Sequence, residues 1–173
     1  SVAISADGEY IAAGSFDDKI YLFNKDSNTP LWSHTIGNFI QSISISANGE
    51  YIAVGSNTNS VYLFNKNSSR LWAYDTGNDV YSVTISADGE YIAAGSSYPY
   101  GKTIYFFNKN SNTPLWNYTT EGGFWNNEYD VFSLGISADG EYLVAGSYDN
   151  NVYFFNKDNN TPLWSYNTGG SVY

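Results

Sequence analysis

Residues 5–32 read SADGEYIAAGSFDDKIYLFNKDSNTPLW, and residues 46–72 repeat that pattern as SANGEYIAVGSNTNSVYLFNKNSSRLW. The same unit begins twice more, at Ser86 and at Ser137. Its turn glycine recurs at residues 8, 49, 89 and 140, at intervals of 41, 40 and 51 residues. The chain therefore contains four copies of one unit, and a period near 40 residues is typical of a four-stranded propeller blade.

Each unit contains four short apolar segments separated by turn signals, as the third copy shows. VYSVTIS (80–86) alternates, an Asp-Gly pair marks a turn, and YIAAGS (91–96) runs back. TIYFFNK (103–109) follows, and PLWNYTT (114–120) comes after a turn rich in Asn, Ser, Thr and Pro. We name these predicted strands a, b, c and d. Because no segment shows a sustained helical period, we predict an all-β propeller of four-stranded antiparallel blades, four of them in this chain.

Both faces of each predicted blade are apolar. In strand c of the first copy, Ile20 and Leu22 point to one side of the sheet, and Tyr21 and Phe23 point to the other. This pattern is typical of a sheet packed between two neighbours. The small residues Ala-Ala-Gly of strand b keep the adjacent sheet close, whereas the strand c aromatics and the strand d Trp fill the wider outer part. We therefore predict that the repeated Trp and Tyr residues belong to the core.

The composition excludes several classes of function. The net charge of −10, with only seven Lys plus Arg, leaves little from which to build a phosphate-binding surface, so no nucleic-acid partner is expected. No apolar segment approaches the ~18 residues of a membrane helix, so no membrane insertion is expected. The absence of Cys excludes disulfides and thiolate sites. His34 is the only histidine, which excludes a His-based metal triad or a Ser-His-Asp triad, and we expect it to be a surface or packing residue.

The repeat resembles two families of propeller. The unit VYSVTISADGEYIAAGS…IYFFNK resembles the WD-repeat pattern, although Phe-Asn stands in place of its Trp-Asp pair and its Gly-His is missing. The segment VYLFNKNSSRLWAYDTG (61–77) is similar to the repeats of quinoprotein-type (pyrroloquinoline quinone, PQQ) propellers. Such hybrid repeats resemble those of prokaryotic, especially archaeal, cell-surface propellers. The resemblance covers essentially the whole chain and implies a scaffold or adhesion role, with no inherited active site and no cofactor.

The number of repeats leaves three closed arrangements. The repeats cover approximately 1–38, 39–78, 79–128 and 129–171. An open arc of four blades would expose large apolar side chains at both ends, each worth roughly 1.5–3 kcal/mol when buried. A four-blade ring, a ring closed by two copies of the chain, and a ring completed by further blades of a longer parent chain all avoid this exposure.

We favour the last two arrangements, in which the chain is half or part of a seven- or eight-blade ring. The repeats combine small residues on strand b with large aromatic residues on strands c and d, which suits the spacing of blades in larger rings. The chain is also cut inside strand a. The lack of Met and the start in the middle of a repeat also indicate a processed or excised piece.

All the extra length of the chain lies in the third repeat. Its b–c connection SSYPYGKT (96–103) is three residues longer than the others, and the following d–a connection TTEGGFWNNEYD (119–130) is seven residues longer. Both connections emerge on one face of an antiparallel a-b-c-d blade, so the insertions are predicted neighbours. Loops on a rigid scaffold are common binding sites, and aromatic and amide groups suit protein or carbohydrate surfaces. The candidate partner-binding rim consists of Tyr98, Tyr100, Phe124, Trp125, Asn126, Asn127, Glu128 and Tyr129.

Other signals leave alternatives open. A local hydrophobic plug is the alternative for Phe124 and Trp125. The acidic turns at 17–18 and 149–151 offer oxygen ligands for Ca²⁺ but lack calcium-loop spacing, so solvated turns are favoured. The sequence does not set the separation of the rim carboxylates, so a glycoside-cleaving pair stays open. These carboxylates belong to Glu121, Glu128 and Asp130. Asn67 and Asn117 fit the glycosylation pattern, as does Asn159, where the following Pro162 weakens the match.

Together these features predict a non-enzymatic binding or structural module that is extracellular or located on the cell surface. Its expected partner is a protein or a glycan, bound through the loop-bearing face. Self-association into a ring-closing dimer, or further blades of a longer parent chain, would complete the ring. The alternative function is a fragment of a quinoprotein-like dehydrogenase, supported by the Leu-Trp strand resemblance alone.

Overall fold

The computed structural model describes residues 1–97, 102–120 and 131–173. Within these ranges the chain forms strands and turns, and no helix there is able to cross a membrane. The strands are β1 Val2–Ile4, β2 Tyr10–Gly14, β3 Lys19–Asn24, β4 Trp32–Thr35, β5 Ile40–Ile45, β6 Tyr51–Ser56, β7 Ser60–Asn65, β8 Arg70–Asp75, β9 Val80–Ile85, β10 Tyr91–Ser96, β11 Thr103–Asn108, β12 Trp116–Thr119, β13 Val131–Ile136, β14 Tyr142–Ser147, β15 Asn151–Asn156 and β16 Trp164–Asn167.

These strands form four antiparallel sheets of four, each in chain order. Blade 1 contains β1–β4, blade 2 contains β5–β8, blade 3 contains β9–β12 and blade 4 contains β13–β16. The register places small residues beside large ones: Ala93 of β10 pairs with Phe106 of β11, and Gly95 pairs with Ile104. The predicted all-β fold of four four-stranded blades is therefore confirmed.

Hydrophobic cores fill the junctions between consecutive blades. Between blades 2 and 3, Leu63 and Trp72 pack with Ile92 and Phe107, and the rings of Trp72 and Phe107 have centroids 5.3 Å apart. Equivalent sets of residues fill the junction of blades 1 and 2 and that of blades 3 and 4. Blades 2 and 3 thus bury apolar side chains on both faces, as the alternation in strand c predicts.

Glycine at the end of strand b lets neighbouring blades approach closely. A Cβ atom at Gly55 would lie 2.8 Å from Val80 Cγ1 and 3.0 Å from the Val80 carbonyl oxygen. Gly95 stands in the same relation to Val131, where the distance to Cγ1 would be 2.6 Å. Strand a of one blade therefore packs directly on strand b of the preceding blade, and no side chain fits between them.

The ring is not closed within the described residues, so each terminal blade has one uncovered face. Trp164 of blade 4 is 49% exposed, whereas its counterparts Trp72 and Trp116 are each 9% exposed. Tyr166, also on blade 4, is exposed as well. The prediction that the repeated Trp and Tyr residues are core is confirmed at the inner junctions. It is wrong for Tyr142, Trp164 and Tyr166, because in this structure no blade covers the outer face of blade 4.

The a–b and c–d turns form one face of the propeller, here called the turn face, and its contacts repeat from blade to blade. In blade 4, Ser137 Oγ donates to Asp139 Oδ1 at 2.6 Å, and Tyr142 N donates to Ser137 Oγ at 3.0 Å. Lys157 forms an ion pair with Glu141 on the same face. Blades 1 to 3 contain the equivalent side-chain bond and the equivalent Lys–Glu pair. This uniformity indicates a structural role for the turn face.

Ser137→Ala is expected to raise the pKa of the Asp139 carboxyl towards its ordinary value. The Ser137 hydroxyl is the main cause of the lowered pKa, because its hydrogen bond stabilises the carboxylate. A folded-state pKa below the unfolded one means that this turn stabilises the fold above about pH 4, and that the contribution is lost as pH falls through the folded pKa. NMR titration measures the change, with Asp7 as an internal control because its partner Ser5 is unaltered. An unchanged Asp139 pKa would contradict the assignment.

Candidate functional site

The b–c and d–a connections form the opposite face of the propeller, here called the loop face. In every blade, the first residue after strand d donates its backbone N–H to a carbonyl oxygen of the b–c connection at 2.8 Å. The donor and acceptor residues are Ile36 and Asp18, Thr76 and Asn59, Thr120 and Lys102, and Thr168 and Asn150. This bond fixes the two connections of each blade side by side.

Blade 3 keeps this bond although both of its connections are longer. In the other blades the b–c connection is a tight turn with Asp18, Asn59 or Asn150 at positive φ, a conformation that Asn and Asp adopt more readily than most residues. In blade 3, Lys102 and Thr120 form the bond, and the hydroxyl oxygens of Thr103 and Thr119 lie 3.2 Å apart. The stems of the two insertions are therefore adjacent on the loop face.

The rim residues predicted from the sequence lie at positions 98–101 and 121–130, outside the described residues. They are Tyr98, Tyr100, Phe124, Trp125, Asn126, Asn127, Glu128 and Tyr129, together with the acidic residues Glu121 and Asp130. The rim, the hydrophobic-plug alternative and the glycoside-cleaving pair accordingly stay predictions. The structure describes only the stems, which are adjacent on blade 3.

Aromatic side chains also gather on the described part of the loop face. Phe16, in the b–c turn of blade 1, contacts Phe39, in the connection to blade 2, with ring centroids 5.0 Å apart, and both are exposed. Phe132 lies at the centre of a second group, 5.1 Å from Tyr173 and 6.3 Å from Tyr148. The loop-face aromatics are Phe16, Phe39, Tyr81, Phe132, Tyr148 and Tyr173.

Our sequence analysis missed these six residues because they occupy positions where the repeats differ without changing length. Phe16 of the first repeat corresponds to Asn57 of the second, and Tyr81 of the third corresponds to Gln41 of the second. The two insertions of the third repeat point only to residues within the insertions themselves. The sequence signal that could have identified these residues is an aromatic side chain at a position that varies between otherwise similar repeats.

Acidic side chains on the loop face are engaged in local turn contacts. Asp17 Oδ2 accepts a hydrogen bond from the Tyr21 hydroxyl at 2.5 Å, and this bond is the main cause of the lowered pKa of Asp17. In blade 4, Asp149 accepts the equivalent bond from Tyr153, whose phenol pKa is raised, chiefly by burial. Burial also raises the pKa of the Asp79 carboxyl. Among the described residues, His, Cys, Asp and Glu form no group of three or more that could hold a metal ion.

Three other residues named in the sequence analysis are either packed in a core or exposed. The ring of His34 lies 5.0 Å from that of Phe64, so His34 is a packing residue of the junction between blades 1 and 2. The side chains of Asn67 and Asn117 are exposed. Their positions are therefore accessible to a modifying enzyme, and their glycosylation stays a prediction.

A comparison with known protein families identifies the repeat. The family model described as outer membrane protein assembly factor BamB, built on PQQ-like repeats, matches residues 1–173. The chain belongs to this BamB-type family of PQQ-like propeller repeats. A search of curated protein sequences finds no match to the chain. The family match confirms the similarity to quinoprotein-type repeats that segment 61–77 indicated, and it extends over all four blades.

In this BamB-type propeller, the Leu-Trp strand that carries the resemblance has a structural role. Trp72 Nε1 donates a hydrogen bond to the backbone oxygen of Lys109 in the next blade at 2.7 Å. Trp116 makes the same bond to Lys157, also at 2.7 Å. The repeat motif thus joins neighbouring blades, whereas the six loop-face aromatics stand at positions where the repeats differ.

Proposed function

We propose that this chain is a non-enzymatic binding scaffold that holds a protein or glycan partner against its loop face, outside the cell or at its surface. The observation that carries the proposal is the gathering of exposed aromatic side chains and of both insertion stems on that one face. Aromatic residues supply much of the binding energy in protein interfaces. The a–b turns of the turn face, by contrast, keep the same serine bond and the same Lys–Glu pair in every blade.

Two further properties support a scaffold. The description of the matching family model names an outer membrane protein assembly factor. This name refers to the assembly of proteins and not to catalysis. The net charge of −10 favours partners with neutral or basic surfaces, because complementary charge speeds association and disfavours acidic partners. A rigid stack of blades with variable connections on one face suits such a role.

Removing aromatic side chains from the loop face is expected to lower affinity at least about tenfold, because interface aromatics commonly contribute more than 1 kcal/mol each. The partner is first sought with arrays of defined glycans and of peptides. Affinity is then measured by calorimetry for Phe16→Ala with Phe39→Ala, and for Tyr100→Ala with Trp125→Ala. Leu115→Ala is the matched control, since Leu115 is exposed on blade 3 but lies at the c–d turn.

Equal affinities for both double variants and the wild type would contradict the loop-face assignment. The non-enzymatic assignment has a separate test, in which pyrroloquinoline quinone and Ca²⁺ are added to the chain. We expect no change in quinone absorbance and none in the melting temperature. A saturable change in either would instead favour the quinoprotein alternative.

A further inference from the structure

In blades 1 and 4, one residue of the b–c connection meets one residue of the d–a connection on the loop face. In blade 1 these residues are Phe16 and Phe39, whose ring centroids lie 5.0 Å apart. In blade 4 they are Tyr148 and Ser171, and the Ser171 hydroxyl donates to the Tyr148 carbonyl oxygen at 3.4 Å. The same two positions of the repeat therefore form a side-by-side pair in different blades.

The corresponding pair of blade 2 is polar and lies beside the aromatic pair of blade 1. By position in the repeat, Asn57 corresponds to Phe16, and Asp79 corresponds to Phe39. Asn57 N donates to the Phe39 carbonyl oxygen at 3.1 Å, so the two pairs are joined through their backbones. On the far side, Ser97 N donates to the Asp79 carbonyl oxygen at 2.8 Å. Phe39, Asn57 and Asp79, which belong to blade 2 and its connections to blades 1 and 3, are here called the acceptor site.

The acceptor site contains oxygen atoms without a donor. Asn57 Oδ1 is buried and has no hydrogen-bond partner among the residues that the structure describes. Burial raises the pKa of the Asp79 carboxyl, and no hydrogen bond or neighbouring charge in the described part of the chain offsets this effect. A buried oxygen without a donor costs free energy, which a ligand recovers by supplying the missing hydrogen bond. The site therefore suits a ligand that donates several hydrogen bonds.

The Phe39 ring adds an aromatic surface to the same site. Although it contacts Phe16, its side chain is 44% exposed. A guanidinium group is planar, stacks on aromatic rings and carries its N–H donors in a rigid fork, whereas an ammonium group is compact and has no plane to stack. The Asp79 carboxylate also favours a cation over a neutral sugar. The combination of ring and oxygen acceptors therefore fits an arginine side chain best.

The charge distribution of the chain favours a basic partner at this face. The four turn-face lysines are each paired with a glutamate of the same blade. The insertion at 121–130 adds acidic residues to the loop face and no basic one. The described acidic residues of the loop face are Asp17, Asp18, Asp75, Asp79 and Asp149, and the basic ones are Lys19 and Lys102. This excess of negative charge on the loop face is complementary to a basic protein segment.

We propose that the acceptor site binds an arginine side chain of a partner protein. The guanidinium stacks on the Phe39 ring and donates hydrogen bonds to Asn57 Oδ1 and to the Asp79 carboxylate. The proposal rests on the proposed function, which places the partner on the loop face. It narrows that partner from a protein or a glycan to a protein segment that presents an arginine.

A short peptide tests this site directly. The probe is acetyl-Gly-Arg-Gly-amide, whose only charge is the guanidinium, and it is titrated into the chain while NMR spectra are recorded. We expect saturable shifts of the backbone N–H signals of Phe39, Asn57 and Asp79. Replacing the arginine by citrulline, its neutral counterpart, is expected to weaken binding at least about tenfold, because the charge-assisted hydrogen bonds are lost. A lysine peptide is expected to bind at least about threefold more weakly than the arginine peptide.

Variants of the acceptor site separate the two parts of the contact. Asp79→Asn is expected to weaken binding of the arginine peptide about tenfold, since the carboxylate charge is lost. Phe39→Leu is expected to weaken it about threefold, because leucine keeps an apolar side chain but has no aromatic face. Asp158→Asn is the matched control, since Asp158 is exposed in the c–d turn of blade 4, and it is expected to keep the wild-type affinity. Melting temperatures confirm that each variant is folded.

Several outcomes would overturn the arginine site. These are equal affinities for the arginine, citrulline and lysine peptides, wild-type affinity of Asp79→Asn, and shifts that are absent or confined to the turn face. A glycan that binds the loop face when the arginine peptide does not would also overturn this site, but would leave the proposed function intact. The proposed function fails separately, if the partner found on the arrays binds both loop-face double variants as tightly as the wild type.

Discussion

Replacing Phe107 by alanine is expected to lower the free energy of unfolding by about 3–5 kcal/mol. The Phe107 side chain is fully buried between blades 2 and 3, with ring centroids 5.3 Å from both Trp72 and Tyr74. The Trp72 ring is held by its hydrogen bond to Lys109, so it cannot move freely into the cavity left by the alanine. Domains are stabilised by only about 5–15 kcal/mol in total, so this one change removes a large share of the stability.

Chemical denaturation followed by circular dichroism measures this loss. Leu31→Ala is the matched control, because Leu31 is an exposed apolar residue of blade 1 and its removal should change the stability by less than about 0.5 kcal/mol. If Phe107→Ala unfolds at the same denaturant concentration as Leu31→Ala, the core between blades 2 and 3 is not packed as described.

Gly55→Leu is expected to destabilise the fold by about 3 kcal/mol or more, through overpacking rather than through a cavity. Gly55 lies inside β6, and even a Cβ atom there would be 3.0 Å from the backbone oxygen of Val80 and 3.0 Å from Val83 Cγ1. A side-chain rotation can move Val83 Cγ1, but it cannot move the Val80 oxygen, because that atom belongs to the backbone of the next blade. The larger side chain therefore has to push blades 2 and 3 apart.

The control for this variant is a glycine with open space around it. A Cβ atom at Gly170 would meet nothing within 4 Å, and the corresponding residues of the first two repeats are Asn38 and Asn78. Gly170→Ala should leave the melting temperature close to that of the wild type, whereas Gly55→Leu should lower it by many degrees. Similar melting temperatures for the two variants would contradict the close approach of the blades.

The fold could be predicted because each step of the repeat has a local cause. Alternation in strands a and c, the Asp-Gly turn, and the small residues before Gly14 each depend on neighbours within one or two blades. Because the same pattern occurs four times, each copy supports the strand assignment of the others. The predicted sheet order and strand bounds accordingly agree with the structure. The exposure of Trp164 could not be predicted from the repeat unit alone, because it depends on whether another blade lies beside blade 4.

The candidate site was less predictable. The extra length in the third repeat pointed to the loop face, and the bond between Thr120 and Lys102 shows why both insertions begin there. The contact between Phe16 and Phe39 joins two different connections of adjacent blades. Such a contact depends on the angle between adjacent blades. The spacing of residues within one repeat does not determine this angle.

Hydrogen exchange of the tryptophan indole Nε1–H groups is the measurement that tests most directly whether the inner junctions are packed as described. Trp72 and Trp116 supply the two probes in the same NMR spectrum, since both indole hydrogens bond to the next blade. Both hydrogens are expected to exchange slowly, and Phe107→Ala is expected to make the Trp72 hydrogen exchange faster while the Trp116 hydrogen stays slow. Fast exchange of both Trp72 and Trp116 in the wild-type chain would contradict the packing of the inner junctions.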